Sequence, residues 1–253
     1  MIEYNKLDQL KLKLDSFRPL PPEVVGNLHA DFTLRWTYHS NAIEGNSLTL
    51  METKVVLEGI TIGGKTLREH LEVVNHHAAI SLMEKIVKKN QSLTETDIKA
   101  IHQMVLKEID NANAGVYRSV NVIIGGARHF PPAHEQVPVK MAQFIEWYQS
   151  AAHELHPIER AARVHADFVK MHPFIDGNGR TSRLLMNLEL MKSGFPPVII
   201  PVEKRLEYYD ALDLSCTENN YSAFVKMVAD AAEQAFEPYW YALNIKPDKG
   251  VAR

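Results

Sequence analysis

The chain has 253 residues, 45% of them hydrophobic and 23% charged, which is ordinary for a globular protein and long enough to bury a substantial core. Twenty-eight Lys and Arg against 31 Asp and Glu leave a formal charge of -3, which excludes the basic excess needed to grip a nucleic-acid backbone. The single cysteine, Cys216, excludes an internal disulfide and suits a reducing compartment, where it reads as a small core residue. The first residues alternate polar and apolar and show no export signal, and no apolar run nears the ~20 residues that cross a bilayer. The expectation is a cytoplasmic protein without membrane or nucleic-acid partners.

Taken in chain order, Leu7, Leu10 and Leu14 share one helical face, and the run Pro19-Leu20-Pro21-Pro22 ends that helix. Helical spacing returns over residues 23–41 and breaks at Glu44-Gly45-Asn46. Residues 48–59 read as helix and Gly63-Gly64 as a turn. Residues 67–90 then read as a long helix with Leu71, Val74, Ala78, Leu82 and Ile86 facing inward. Thr94 through Asp97 cap a further helix reaching to about Ile109. The one β-like stretch is residues 120–124, followed by Gly125-Gly126, which predicts a short hairpin on a helical body. Residues 137–151 and 157–171 are again helical, the second opening with a proline and packing through Ile158, Ala161, Ala162, His165, Phe168 and Val169. Leu184, Leu185, Leu188 and Met191 mark a helix over residues 180–192 that stops at Gly194.

Between those last two helices lies His172-Pro173-Phe174-Ile175-Asp176-Gly177-Asn178-Gly179-Arg180-Thr181-Ser182-Arg183. Gly177 and Gly179 let backbone amides converge on an anion at a helix start. Arg180 and Arg183, three residues apart, offer forked donors to phosphate oxygens. Asp176 supplies the hard oxygen that Mg²⁺ prefers, and His172 is the neighbouring group able to accept a hydroxyl proton near neutral pH. Singly, each of these residues is more often structural, so their combination carries the reading. A Walker loop needs Gly-Lys-Ser/Thr and a dinucleotide fold needs a preceding strand, and this stretch has neither.

The stretch resembles, at every specified position, the Fic (filamentation induced by cAMP) family pattern His-x-Phe-x-Asp/Glu-Gly-Asn-Gly-Arg-x-x-Arg, and the resemblance extends over approximately residues 36–227. It implies an all-α Fic-fold bundle with a short β-hairpin flap, divided into an N-terminal helical region (1–47), a catalytic core (48–240) and a C-terminal tail (241–253). It also implies transfer of AMP from ATP to a Ser, Thr or Tyr hydroxyl of a target protein. His172 would be the general base and Asp176 the Mg²⁺ ligand. Gly177, Asn178, Gly179, Arg180 and Arg183 would hold the phosphates, and Phe174 would anchor the loop.

Upstream, Ser40-Asn41-Ala42-Ile43-Glu44-Gly45 resembles the family's inhibitory motif Ser/Thr-x-x-x-Glu-Gly/Asn, which implies that Glu44 pairs with Arg183. Residues 115–118 and 121–125 resemble the flap, with Val122, Ile123 and Ile124 facing an extended target segment. Tyr208 and Tyr209 fall where relatives contact adenine. Ser215-Cys216-Thr217-Glu218-Asn219-Asn220 departs from the relatives' Ala-Asn-Glu-Gly-Asp segment and puts base contacts there in doubt. A homodimer and self-modification are further expectations from the resemblance. A bifunctional enzyme that also removes AMP, transfer of another nucleotide, and a nucleotide sensor without turnover are the alternatives. His76-His77, His153 and His156 lack metal-motif spacing and read as packing or surface residues.

Overall fold

The computed structural model describes residues 4–245. Its helices run in the order α1 (Tyr4–Asp15), α2 (Pro22–Ile43), α3 (Leu50–Leu57), α4 (Leu67–Lys89), α5 (Glu95–Val105), α6 (Val137–Gln149), α7 (Pro157–Met171), α8 (Asn178–Lys192), α9 (Arg205–Glu218), α10 (Ser222–Gln234) and α11 (Glu237–Ala242). Local chemistry sets the boundaries. Thr49 with Glu52, Thr66 with Glu69 and Thr94 with Asp97 close reciprocal capping boxes at the starts of α3, α4 and α5. Proline opens α2 and α7, where its missing amide costs no helical bond. Within the tail expected over residues 241–253, α11 takes in 241–242, and residues 246–253 lie outside the described residues.

Helices α7 and α8 pack on each other and divide the apolar interior in two. On one side Val164, Phe168, Leu184, Leu185 and Leu188 join Trp36 of α2 and the inner faces of α4, α5 and α6. On the other, Ile158, Ala161, Ala162, Ala166, Met186 and Leu190 join Leu7 and Leu14 of α1 and the faces of α9 and α10. Because α8 is buried around most of its circumference, its polar residues Arg180, Thr181, Ser182, Arg183, Asn187 and Glu189 are inside as well. Each polar group then needs an internal partner.

Three expectations change. The buried face of α4 is Glu72, Val73, Asn75, His76, Ala79, Ile80, Met83 and Ile86, and Val74 points to solvent. Leu71, Ala78 and Leu82 are only half-buried. The helix is turned because Glu72, Asn75 and His76 have buried polar partners to meet, a pull that an apolar count cannot register. Helix α5 ends at Val105, and residues 106–110 close in turns. Among the described residues no strand forms, so the expected β-hairpin is an extended arm, residues 119–132, around a turn in which Ala127 N donates to Ile124 O (3.2 Å). Side chains replace the ladder. The buried guanidinium of Arg118 donates through Nη1 to Val120 O (2.8 Å) and through Nη2 to Pro132 O (2.5 Å), tying both limbs together.

His76, His102 and His165 are fully buried, and burial pushes His102 down to about 4 and the other two well below their ordinary value. Their folded pKa values lie below the unfolded ~6.5, so the stability they contribute is complete above that pH and is lost as pH falls through the window toward 4. Between pH 6.5 and 5, where few carboxylates titrate, the unfolding free energy should drop by roughly 1.6 kcal/mol for His102, with His76 and His165 acting in the same direction. Urea unfolding at pH 7.5, 6.5, 5.8 and 5.0 measures this directly; a constant midpoint contradicts it.

Candidate active site

Residues 172–177 link α7 to α8. His172 ends α7 in a left-handed conformation (φ 46°), and Gly177 caps α8 with φ 75°. The loop is held from below by α5. Phe174 is completely buried and stacks on His102, with centroids 3.6 Å apart and ring planes 4° apart. His102 Nδ1 accepts from Gly115 N (2.8 Å), which leaves Nε2–H to donate to Asp176 O (2.8 Å). A Cβ at Gly177 would stand 3.2 Å from His102 Nε2, so close packing on this imidazole adds to the positive φ in requiring glycine.

Arg183 has only 2% of its side chain exposed. Its Nε donates to Ser40 Oγ (2.9 Å) and its Nη2 to Ser40 O and Glu44 Oε1 (both 2.7 Å), while Nη1 donates to the Tyr208 hydroxyl (3.2 Å). Burial works against the guanidinium charge, but Tyr208 and Glu44 outweigh it and its pKa is raised. The Glu44 carboxylate lies where α2 ends, against the backbone of Gly179, so that a Cβ on residue 179 would stand 2.2 Å from Glu44 Oε1. Gly45 then turns the chain away with φ 98°. Ser40, Glu44, Gly179 and Arg183, read from two distant segments, therefore meet.

Arg180 is equally buried. Its Nη2 donates to Asp176 Oδ1 (3.2 Å), its Nη1 lies 3.3 Å from Glu72 Oε1, and its Nε has no hydrogen-bond partner, which leaves buried donor capacity on this guanidinium. Asp176 also accepts from Gly177 N (2.5 Å) and from Arg68 Nη2. Burial opposes its charge, yet Arg180, the Gly177 amide and Arg68 hold its pKa below the usual carboxylate range. With 39% of its side chain exposed, Asp176 fits a cation shared with substrate phosphates and water. Among the described residues no group of three His, Cys, Asp or Glu gathers into an all-protein metal cage.

Burial pushes His172 down to about 4, against smaller upward pulls from the Val169 carbonyl and Glu44. The ring is neutral at physiological pH. Its carbonyl accepts from Arg118 Nε (2.9 Å), so the root of the arm and the loop are joined. Ile123 at the arm is 80% exposed, with Val122 and Ile124 half-buried beside it.

Two site expectations need correction. Tyr208 is 1% exposed, with its ring among His165 and Phe224 and its hydroxyl shared between Arg183 and His165 Nε2 (2.9 Å), so it orients the arginine and offers no face to a base. Asn178, 2% exposed, spends its side chain on Phe174, accepting from its N (3.0 Å) and donating to its O (2.9 Å); only its backbone remains for an anion. Tyr209, at 39% exposure and anchored to Ile43 O (3.0 Å), keeps an accessible ring. The sequence reading missed Arg68, Glu72 and His102, and it placed Arg118 in the flap without its stapling role. Glu72 accepts from Arg68 Nε (3.1 Å) and Asn46 Nδ2 (2.9 Å), joining α4 to the segment after Glu44. For Glu72 and His102 the available signal was a polar residue recurring on an otherwise packed helix face.

Residues 92–190 match the family model described as Fic/DOC family. Fic-1 (aa134–508) from C. elegans superposes with a TM-score of 0.85 at 35% identity, covering 95% of this chain and 71% of that one. The chain belongs to the Fic/DOC family. A Fic domain containing signaling protein from Bacteroides thetaiotaomicron also gives a TM-score of 0.85, at 28% identity over 96% of this chain and 99% of that one. Proteins named protein adenylyltransferase Fic match at 39% identity in Drosophila grimshawi (84% of this chain, 44% of that protein) and 38% in Nematostella vectensis (97% and 58%). The chain thus spans about half the length of these curated relatives.

Since a methyl group at residue 179 and the Glu44 carboxylate claim the same space, Gly179→Ala and Glu44→Ala should each break the pair with Arg183. Each is expected to cost about 1–3 kcal/mol, because Ser40 and Tyr208 stay on the guanidinium. The double variant should lose less than the sum by about 1 kcal/mol or more, as urea unfolding of the four proteins would show; additive losses contradict a shared interaction.

Proposed function

We propose that the chain is an autoinhibited protein adenylyltransferase, moving AMP from ATP to a Ser, Thr or Tyr hydroxyl of a protein target. The observation that carries this reading is the stretch 172–183, which brings a neutral imidazole and two buried arginines to one loop and the helix start that follows it, one arginine being held by Glu44. The name shared by the relatives supports the same chemistry.

His172 takes the hydroxyl proton on its unprotonated ring nitrogen as the target oxygen attacks the α-phosphorus; the bond to pyrophosphate breaks, and pyrophosphate leaves. Amides at the start of α8 and the Arg180 guanidinium hold phosphate oxygens in line, so the contribution of the chain is positioning and charge stabilisation. Asp176 would hold Mg²⁺, which supplies further neutralisation of phosphate charge when bound. Glu44 inhibits by occupying Arg183 and by placing a carboxylate beside Gly179, where a phosphate would need room and positive potential. Tyr209 remains the candidate for the adenine face, and Val122, Ile123 and Ile124 the candidates for an extended target segment. The chain itself is the first target to test. For homodimerisation, Met51, Ile60 and Leu67 supply exposed apolar side chains around α3 and the start of α4. No helix among the described residues is long and apolar enough to cross a membrane.

Transfer from α-labelled ATP with Mg²⁺ should be weak for wild type, stronger by ~10²-fold or more for Glu44→Gly, and absent when His172→Ala is added. Label on all three proteins, or on none in the presence of cell lysate, counts against the proposal.

Because the His172 pKa is depressed in the free protein, its base form is filled at every pH above about 6. The initial rate of Glu44→Gly at low ATP should therefore stay flat from pH 8 to 6 and fall only below the ordinary histidine range; an acid limb at or above 6.5 contradicts the assignment.

A further inference from the structure

Arg68 stands in the first turn of α4, and 56% of its side chain is exposed. It bridges two carboxylates: Nε donates to Glu72 Oε1 (3.1 Å) and Nη2 to Asp176 Oδ2. The other oxygen of Asp176, Oδ1, accepts from Gly177 N and from Arg180. Both oxygens of the loop carboxylate therefore already meet protein donors, and a cation seated at Oδ2 would stand against the Arg68 guanidinium and compete with it for that oxygen.

The two arginines differ in what withdrawal costs them. Arg180 has 2% of its side chain exposed, so losing Asp176 would leave a buried charge short of a partner. Arg68 faces water and keeps its Nε bond to Glu72, so Nη2 can swing away while the guanidinium retains a carboxylate and regains hydration. Glu72 is fixed in turn by Asn46 and by Arg180, which makes it a firm pivot.

We propose that Arg68 is a positioning residue for the metal: an internal cation that seats the Asp176 carboxylate in the nucleotide-free protein and is exchanged at Oδ2 for the divalent cation that arrives with the nucleotide. The inference rests on the reading of Asp176 as the carboxylate that meets this cation. No covalent bond changes; one cationic partner of the carboxylate replaces another. Arg68 therefore weakens metal-dependent binding while sparing, or slightly helping, the binding of metal-free nucleotide through its positive charge.

The test compares nucleotide affinity with and without metal in full-length Glu44→Gly/His172→Ala protein, which cannot turn over. Calorimetric titration with an ATP analogue that cannot be cleaved between its α- and β-phosphates is run in EDTA and in excess Mg²⁺. The ratio of the two Kd values reports the contribution of the metal, which a purely structural role for Arg68 would not move. Arg68→Ala and Arg68→Gln should raise that ratio about two- to fivefold, the scale of an exposed ion pair. Asp176→Asn should collapse it, with or without Arg68. An unchanged or smaller ratio in both Arg68 variants, with Asp176→Asn still lowering it, overturns the role of Arg68 and leaves the metal reading of Asp176 standing. A ratio indifferent to Asp176→Asn overturns both. Thermal unfolding of each variant accompanies the titrations to establish that the proteins compared are folded.

Discussion

Arg183 carries a full positive charge into the interior of a helical bundle, and much of the surrounding architecture exists to compensate it. A guanidinium out of water needs its donors satisfied and its charge balanced, or the cost reaches several kcal/mol. Ser40 and Glu44 at the end of α2 and Tyr208 of α9 meet those needs, so two helices distant in sequence are drawn to one side chain on α8. His165 continues the arrangement by fixing the Tyr208 hydroxyl, while Ser182 packs its own hydroxyl against the same imidazole. The partner of Arg183 that an incoming anion can most readily replace is Glu44, because its carboxylate alone among them is both charged like the anion and partly exposed.

A second network gathers around the loop carboxylate. Arg180, Asp176, Arg68 and Glu72 alternate in charge, and Asn46 links Glu72 to the segment just beyond Glu44. The two networks therefore share a covalent connection through residues 44–46. The scaffold beneath them is apolar and rigid by comparison: Phe174 on His102, with Asn178 closing the loop on itself. Fixed backbone below and exchangeable ion pairs above is an arrangement suited to holding a phosphate chain that comes and goes.

The arm shows the same division. Its root is set by Arg118, whose guanidinium joins Val120 O, Pro132 O and His172 O, while Ile123 at its outer part is left in water. An unladdered arm exposes backbone donors and acceptors that an added extended segment can pair with. Its lack of regular strand leaves that capacity unspent.

The sequence by itself determined the helical body, the loop and the order of the two motifs. Apolar spacing on α7 and α8 was legible because both helices bury apolar faces, and the capping boxes are local interactions that three or four residues specify. Resemblance added Glu44 and its pairing with Arg183. What only the tertiary structure decided were contacts whose partners lie far apart in the chain. The face of α4 was misread because Glu72, Asn75 and His76 are buried for partners on α2, α8 and the turn after α5, and periodicity counts only apolar residues. Tyr208 and Asn178 looked like ligand contacts until burial showed them committed to Arg183 and Phe174. Arg68 carried no signal at all, because an arginine in a first helical turn is ordinarily solvated and only folding brings Asp176, 108 residues away, within its reach.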